Sequence, residues 1–376
     1  MTRVAIVKCG DYVYDDVENA VRNALSLIGG LAGKIKKGDK VLLKPNMLMA
    51  ADAARMVTTH PFVLRAAIKI VRECGGRPFV GDSPGNAYAD VDNALEVSGF
   101  KAAAAEEGAE LIKFTKTEKR GEVYIAKDVL DMDLIINLPK IKTHTLTLFT
   151  GAVKNMFGIV PGFHKGDFHK NYPYPADFAA KLVDIFSVKI PLLGIMDGIY
   201  GMEGEGPSAG KPRKIGLVLA SFDCVALDSV SSRIIGYDPF SIDTTRIAHN
   251  RKLGEADLEK IEIKGERLQD VLIPDFKLTS TAHAAMKKIP RFIYPPFQYL
   301  ARKLVKVYPA VMGEKCTGCG VCANNCPAGA ITLTANKANI DHNKCISCYC
   351  CQELCSFKAI EIKRSWFARR FGIGKQ

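Results

Sequence analysis

The chain has 376 residues, of which 48% are hydrophobic, 24% are charged and 8% are aromatic. This length suits two or three domains, and the composition is that of a folded protein, which excludes a disordered, collagen-like or mucin-like chain. The net charge is +12, but residues 284–376 contain 15 Lys and Arg against 4 Asp and Glu, so most of the excess lies there. No secretion signal and no apolar stretch of about 18 residues occurs, which predicts a cytoplasmic protein.

Short apolar runs alternate with amphipathic stretches from Arg3 to Lys264, as is typical of an α/β layer fold. The predicted strands are 3–8, 40–44, 78–81, 109–113, 133–138, 190–196, 214–220 and 259–263. The predicted helices are 16–28, 61–73, 91–98, 176–187, 222–235 and 242–252. Several strands are apolar on successive residues, which indicates that both faces of the sheet are covered. We therefore predict an α/β substrate-binding domain over residues 1–283, with a parallel or mixed sheet and flanking helices.

Two basic segments rich in aromatic residues lie outside this domain. Residues 284–312 also contain several prolines and are predicted to be a connector with one short helix near 297–307. Residues 364–376 form a tail around Trp366. Contact of these segments with a redox partner protein or with the surface of a membrane is the alternative. Nucleic-acid binding is not expected from this sequence, because no recognised motif accompanies the charge.

Nine of the twelve cysteines are concentrated in residues 316–355. Two runs share the same spacing of two, two and three intervening residues: Cys316, Cys319, Cys322 and Cys326, then Cys345, Cys348, Cys351 and Cys355. In this pattern three cysteines of one run and the last cysteine of the other hold one 4Fe-4S cluster. Cys355 is thus assigned to the first three cysteines, and Cys326 to Cys345, Cys348 and Cys351. Zinc is the competing interpretation, but zinc ribbons favour two separate CxxC pairs.

This segment resembles the bacterial two-cluster ferredoxin. The resemblance includes AGAITL (328–333) and FKAIEI (357–362) as the paired strands that follow the two runs. Ser356 replaces the usual proline after the last ligand, and Cys350 is an additional cysteine, but neither change removes a ligand. We therefore predict a small α+β ferredoxin-like domain over residues 313–363 with two 4Fe-4S clusters that transfer electrons. A divalent metal or a flavin as a further cofactor is left open.

The α/β domain lacks the usual cofactor signatures, since no GxGxxG, no GxxxxGK[ST] and no radical-SAM cysteine run is present. Its densest polar segment is residues 137–170, which follows a predicted strand. This segment combines Lys142, His144, Lys154 and Asn155 with apolar residues that imply partial burial. Lysines beside glycine and threonine suit a carboxylate or phosphate. The alternative is a solvated basic loop.

Three shorter polar segments follow other predicted strands, where α/β sheets bind ligands. They contain Lys44 and Asn46, then Asp82 and Ser83, then Asp197, Glu203 and Glu205. Each segment could be only a turn. The three carboxylates of the last segment could instead bind Mg²⁺ or act as a general base. We predict a pocket where the strands at 40–44, 78–81, 133–138 and 190–196 end, facing the ferredoxin domain.

Taken together, the segments KPN (44–46), GDSPG (81–85), KIKTH (140–144), KNMFGIVPG (154–162), DGIYGMEGEGP (197–207) and VALD (225–228) resemble the domain-of-unknown-function-362 family. Members of this family often carry a C-terminal two-cluster ferredoxin. The resemblance covers residues 1–363 and implies the architecture rather than a reaction. It marks Lys142, His144, Lys154, Asn155, Asp197, Glu203 and Asp228 as the residues to test first.

The sequence thus predicts an iron–sulfur oxidoreductase whose clusters exchange electrons with a small anionic substrate in the α/β domain. The predicted catalytic residues are His144, Lys142, Lys154, Asp197 and Glu203. The predicted binding residues are Lys44, Asn46, Asp82, Ser83 and Asn155. The alternative is a non-catalytic electron-transfer or scaffold subunit that docks a partner enzyme.

Overall fold

The computed structural model describes residues 1–85, 89–172, 174–279, 307–364 and Trp366. The strands of the larger domain are β1 (Thr2–Lys8), β2 (Lys40–Pro45), β3 (Arg77–Val80), β4 (Glu110–Leu111), β5 (Thr117–Arg120), β6 (Val123–Ala126), β7 (Leu134–Leu138), β8 (Lys140–His144), β9 (Leu148–Thr150), β10 (Leu193–Glu203), β11 (Lys211–Ser221) and β12 (Ile261–Gly265). Its helices are α1 (Tyr14–Leu27), α2 (Pro61–Glu73), α3 (Val91–Val97), α4 (Phe100–Glu107), α5 (Lys127–Leu130), α6 (Ala152–Asn155), α7 (Gly162–Asn171), α8 (Pro175–Val188), α9 (Cys224–Ile234) and α10 (Asp243–Asn250).

Ten of these strands form one mixed sheet in the order β12-β1-β11-β10-β7-β2-β3-β4, with β8 attached to β10 and β9 attached to β8. Strands β10, β7, β2, β3 and β4 run parallel, whereas β11 is antiparallel to both of its neighbours. The predicted α/β class is therefore confirmed. The register places Lys44 of β2 beside Asn137 of β7 at the end of both strands. Polar side chains from different parts of the chain thus meet at one edge of the sheet.

The sheet is covered on both faces. Leu42 and Ile135 belong to one buried cluster, which contains α8 residues such as Leu182, whereas Leu43 packs in the second cluster with Leu64 of α2. Neighbouring residues of a strand point to opposite faces, so consecutive apolar residues are needed to fill both clusters. Helix α2 begins with Pro61 after His60, whose Nδ1 accepts a hydrogen bond from the Phe62 N–H.

Most predicted elements are present, but KIKTH (140–144) is a strand and not part of a loop. Lys140 lies beside Asp197 and Lys142 lies beside Met202, so β8 continues the sheet along β10. All five residues of β8 are buried, which rules out the alternative of a solvated basic loop for this part of the segment. Strands β5, β6 and β9 and helices α4, α5, α6 and α7 were not predicted either. Strand β10 begins at Leu193 and continues beyond the predicted end, to Glu203.

The C-terminal region contains β13 (Val307–Val311), α11 (Val321–Asn324), β14 (Ile331–Thr334), β15 (Lys337–Ile340), α12 (Cys350–Glu353) and β16 (Ile360–Arg364). The resemblance implied that the strands in AGAITL and FKAIEI pair with each other, but they do not. Instead β14 pairs with β15 and β16 pairs with β13. Ala335 and Asn336 both have positive φ, which gives the tight turn that folds β15 back onto β14.

Strand β13 lies within the segment predicted to be a connector. The predicted basic helix near 297–307 lies outside the described residues apart from Val307, with which β13 begins. The tail also lies outside them apart from Arg364 and Trp366. The predicted domain boundaries stay predictions.

Candidate functional site between the two domains

A cavity of about 260 Å³ lies between the α/β domain and the cysteine-rich domain. The ends of β2 and β3, strand β8, and helices α6 and α7 form one side of it. Residues 324–327 and the segment from Cys350 to Leu354 form the other side. The two domains are also joined by a hydrogen bond, in which the Ser208 hydroxyl donates to the Glu353 carbonyl at 2.8 Å.

A buried ion pair forms the floor of the cavity at the ends of β2 and β3. The Lys44 Nζ lies 2.9 Å from Asp82 Oδ1, and Asp82 Oδ2 accepts a hydrogen bond from the Met47 N–H. Burial lowers the pKa of Lys44, while the charge of Asp82 opposes that change. A Cβ at Gly158 would lie 1.8 Å from Asp82 Oδ1, so only glycine allows the chain to pass this close to the pair.

A chain of amide groups fixes the wall beside this pair. The Asn155 Nδ2 donates to Asn137 Oδ1 at 2.7 Å, and the Asn46 Nδ2 donates to Asn155 Oδ1 at 3.0 Å. The Lys142 ammonium then donates to Asn46 Oδ1 at 2.6 Å and to the Val57 carbonyl. Burial lowers the pKa of Lys142 well below its usual value, and nearby lysines lower it further. Lys142 therefore anchors Asn46 and does not line the cavity itself.

Lys154 lies on the short helix α6 and faces the cavity. Asp228 caps this helix by accepting hydrogen bonds from the N–H groups of Ala152 and Val153. Burial raises the pKa of Asp228 to about 7. Burial also lowers the pKa of Lys154, although the charge of Glu353 opposes that change. Among the described residues, no hydrogen bond or ion pair to the Lys154 ammonium is found.

Helix α7 adds two basic side chains, Lys165 and His169, which belong to the polar segment 137–170 but were not among the predicted site residues. The Lys165 ammonium donates to the carbonyls of Ser83 and Pro84, and burial lowers its pKa to about 7. The His169 ring stacks on Phe178, and burial lowers its pKa to about 4. Their spacing of four residues in GFHKGDFHK, which places them on one face of a helix, was the available signal.

His144 connects the α/β domain with Glu353 of α12. Its Nδ1 accepts hydrogen bonds from the N–H groups of Leu146 and Thr147, so the proton of the neutral ring lies on Nε2. This Nε2 lies 3.5 Å from Glu353 Oε1. Burial raises the pKa of Glu353 to about 7, although Lys154 and Lys142 oppose that change. No sequence pattern pointed to Glu353, which stands between two predicted cluster ligands.

Asp197 belongs to a different centre and does not line the cavity. Its Oδ2 lies 2.8 Å from the Lys140 ammonium and accepts a hydrogen bond from the His60 N–H, and its Oδ1 accepts one from the Tyr12 hydroxyl. Glu203 accepts a hydrogen bond from the Lys277 N–H and is also absent from the cavity wall. Among the described residues, neither carboxylate belongs to a group of three His, Cys, Asp or Glu side chains that could hold a metal ion. The predicted catalytic roles of Asp197 and Glu203 are therefore not supported.

Two smaller spaces in the cysteine-rich domain are each lined by four of the predicted cluster ligands. The first contains Cys316, Cys319, Cys322 and Cys355. The second contains Cys326, Cys345, Cys348 and Cys351, together with the additional Cys350. Backbone N–H groups also point at sulfur, since Ala330 donates to Cys326 Sγ and Ala359 donates to Cys355 Sγ, both at 3.2 Å. Four thiols around an otherwise apolar space, with N–H donors to sulfur, fit a 4Fe-4S cluster.

The fold and these cysteine groups define an α/β protein that carries an iron–sulfur electron-transfer module. The model of the family described as Domain of unknown function (DUF362) matches residues 41–233, and that of a 4Fe-4S dicluster domain matches residues 315–359. The chain belongs to the DUF362 family, which confirms the resemblance found in the sequence.

Two curated proteins are similar to the chain. A thylakoid-associated protein of Synechocystis sp. is 32% identical over 311 residues, which cover 81% of this chain and 96% of that protein. A component of an ion-translocating oxidoreductase complex from Methanosarcina acetivorans is 46% identical over 54 residues, or 14% of this chain and 20% of that component. Among the described residues, no helix has both the length and the apolar character needed to span a membrane.

Similarity to solved structures is remote. The lactate racemase apoprotein of Thermoanaerobacterium thermosaccharolyticum has a TM-score of 0.39 and 12% identity, over 62% of this chain and 56% of that chain. A protein from Thermotoga maritima has a TM-score of 0.36 and 13% identity, over 65% of this chain and 60% of that chain. At these scores neither structure supports an argument about the ligand.

Proposed function

We propose that the chain is an iron–sulfur oxidoreductase that exchanges electrons with a small anionic molecule bound in the interdomain cavity. One observation carries the proposal. Cys326 and Pro327 form part of the cavity wall, and the α/β domain places Lys154 and Lys165 around the same space. A molecule bound there would contact both the basic side chains and the segment that contains a predicted cluster ligand.

The eight cysteines in the two groups are proposed to hold two 4Fe-4S clusters. Cys316, Cys319, Cys322 and Cys355 form one ligand set, and Cys326, Cys345, Cys348 and Cys351 form the other. When bound, the clusters would supply or accept single electrons. Cys350 lines the second space but is not proposed as a ligand, since it stands outside the repeated spacing.

The residues of the α/β domain would bind the molecule and stabilise its charge. Lys154 and Lys165 are proposed to stabilise negative charge, because fixed cations act strongly in a site from which water is excluded. His144 would hold a proton on Nε2, on the side that faces Glu353. Asn46, Asp82, Ser83 and Asn155 are proposed to form the rigid wall, with Lys44 neutralising Asp82.

The first experiment tests the ligand sets. Anaerobically purified protein should contain about eight iron and eight sulfide per chain. Cys326→Ser should disturb one cluster in electron paramagnetic resonance, and it should be the cluster of Cys345, Cys348 and Cys351. Cys350→Ser is the matched control and should leave both signals intact. Damage to the other cluster in the Cys326 variant would refute the assignment.

The second experiment tests the activity itself. Small molecules that co-purify with the anaerobic protein would be identified by mass spectrometry and offered to the chain with reduced viologen. Reduction of such an anion, lost in Lys154→Met while both clusters are retained, would support the proposal. Full reduction by the Lys154 variant would contradict the proposed site.

A second candidate is an electron-transfer subunit without chemistry of its own. The similarity of the cysteine-rich domain to a component of an ion-translocating oxidoreductase complex favours it. In that case the isolated chain would accept electrons from reduced viologen and pass them to a partner enzyme, but it would turn over no small molecule. The same viologen experiment therefore separates the two candidates.

Peripheral contact with a membrane is also proposed, because a relative that the chain covers almost completely is described as thylakoid-associated. Residues 364–376 carry basic and aromatic side chains, which bind anionic lipid surfaces. Deletion of this tail should reduce co-sedimentation with anionic liposomes at low salt. Unchanged co-sedimentation would exclude a role for the tail.

A further inference from the structure

Lysines outnumber carboxylates around the interdomain cavity. The lysines at or beside it are Lys44, Lys142, Lys154 and Lys165, and the carboxylates are Asp82 and Glu353. Asp82 pairs with Lys44, and Lys142 is held by Asn46 and the Val57 carbonyl, which leaves Lys154 and Lys165 as the lysines of the cavity wall among the described side chains. Burial lowers the pKa of both Lys154 and Lys165, so a bound anion is the partner that would stabilise both in their charged forms.

Polar atoms of the cavity wall also lack partners. Thr150 Oγ1 and His169 Nδ1 are both buried from water without a hydrogen bond, and both residues line the cavity. Such atoms are rare in folded proteins, because each costs the free energy of losing its contact with water. They lie on the α/β side together with Lys154, where a bound anion with donor or acceptor groups would satisfy them.

The size of the cavity limits what can bind. Its volume of about 260 Å³ is just below the roughly 300–1,000 Å³ of pockets that hold drug-sized ligands. Phe157, Phe178 and Leu354 provide apolar parts of the wall. A compact molecule would fill a space of this size.

We propose that the ligand of this cavity is a compact organic dianion, such as a dicarboxylate or a phosphate ester. This inference rests on the proposed function for the location of the ligand, but it does not depend on electron transfer. The two negative charges would pair with the charged forms of Lys154 and Lys165, the two lysines of the cavity wall. Lys154 is the principal contact, since its ammonium faces the cavity, whereas Lys165 is held by the carbonyls of Ser83 and Pro84.

The competing explanation is that the lysines offset the charge of a bound cluster. A 4Fe-4S cluster with four thiolates carries about two negative charges in its oxidised form, and Cys326 borders the cavity. The two explanations differ in what Lys154→Met would change. Loss of a ligand contact weakens dianion binding, whereas loss of a counter-charge shifts the reduction potential of the cluster.

The test is anaerobic titration calorimetry of the full chain with sulfate, succinate and acetate at one ionic strength. Sulfate or succinate should bind at least about 10-fold more tightly than acetate, and Lys154→Met should weaken that binding by about 10- to 100-fold. Preference for succinate would indicate a dicarboxylate, and preference for sulfate would indicate a phosphate ester. Lys189→Met is the control, because burial lowers the pKa of Lys189 as it does that of Lys154, but Lys189 lies outside the cavity wall.

Three results would overturn the inference. These are equal affinity for acetate and both dianions, no binding of any of the three anions, and unchanged dianion affinity in Lys154→Met. A shift in reduction potential together with unchanged affinity would assign the lysines to the cluster. Dianion binding without turnover would remove the proposed oxidoreductase activity and leave this inference intact. Turnover of an uncharged compound without dianion binding would overturn this inference and leave the oxidoreductase activity intact.

Discussion

Two buried lysine–aspartate pairs lie near the ends of strands in the same sheet, but their surroundings differ. Lys140 and Asp197 are 2.8 Å apart, and Lys44 and Asp82 are 2.9 Å apart. Every oxygen of Asp197 has a partner, through Tyr12 and the His60 backbone, and the centre borders no described cavity. The Lys44 pair instead lies under a cavity whose wall contains unpartnered polar atoms.

This difference distinguishes buried charges that hold the fold together from buried charges that a ligand can contact. A buried ion pair with all its hydrogen bonds made can hold elements in place but offers nothing to a ligand. The Asp197 centre in this way joins β10 to β8 and to the start of α2. Above Lys44 and Asp82, by contrast, the cavity wall contains Lys154, for which no hydrogen bond is found among the described residues, and the unpartnered atoms of Thr150 and His169, which a ligand could contact.

The largest expected effect is a loss of stability when the Lys140–Asp197 pair is broken. Lys140→Met should lower the free energy of unfolding by about 3–5 kcal/mol, because it leaves Asp197 buried without its cation. Lys154→Met should change it by less than about 1 kcal/mol, since no partner among the described residues loses a contact. Urea unfolding followed by circular dichroism measures both. Equal destabilisation by the two variants would remove the distinction between the centres.

An intermediate effect is expected at Gly158. A methyl group there would collide with Asp82 and Lys44, so Gly158→Ala should cost about 1–3 kcal/mol and weaken anion binding through displacement of the pair. Gly166→Ala is the control, because a Cβ at that position of α7 meets no atom within 4 Å. Alanine is favoured over glycine in a helix, so this variant should be as stable as the original chain or slightly more so. A stable, fully binding Gly158→Ala would contradict the geometry of the floor.

The smallest effect is the dependence of anion binding on pH. In the free site, burial lowers the pKa of Lys165 to about 7. The charge of Asp82 opposes that lowering, whereas the charges of Lys44 and Lys154 add to it. A bound anion would raise this pKa, so the complex binds more protons than the free site. Affinity for sulfate should then be full below pH 7 and fall above it, by at most about 10-fold per pH unit for one proton.

Lys165→Arg sharpens this prediction, because arginine keeps its charge throughout this range. If the variant still binds sulfate, its affinity should depend less on pH than that of the original chain. Titration calorimetry from about pH 6 to about pH 9 measures the difference. A constant affinity of the original chain over this range would show that no lysine at the site changes its protonation on binding.

The correctly predicted elements are those whose hydrophobic pattern is evident over a few consecutive residues. The central strands near 40–44 and 133–138 are continuous apolar runs, and the long helices have an amphipathic period. KIKTH was missed as a strand because most of its residues are polar, so the sequence shows no apolar face for a strand to bury. Only the neighbouring β10 explains their burial, through Asp197 for Lys140 and through the covered environment of Lys142.

For the candidate site, the sequence identified Lys154, His144, Asn155 and the segments at 44–46 and 81–85, because polar residues after strands are conspicuous. It placed Asp197 and Glu203 in the same pocket, since nothing in the sequence shows which way β10 presents them. It also offered no indication of Glu353. That residue reaches His144 only because the cysteine-rich domain packs on the α/β domain.

By itself, the sequence determined the α/β class, the family and the iron–sulfur module. These depend on local periodicity and on the fixed spacing of cysteines, which the covalent chain carries directly. Only the tertiary structure decided which buried lysine is neutralised and which faces a cavity, because that depends on strand register and on the approach of a second domain. Burial and unpaired charge are properties of the assembled fold, and for this reason the site is defined by residues that lie as far apart in the chain as Lys44 and Glu353.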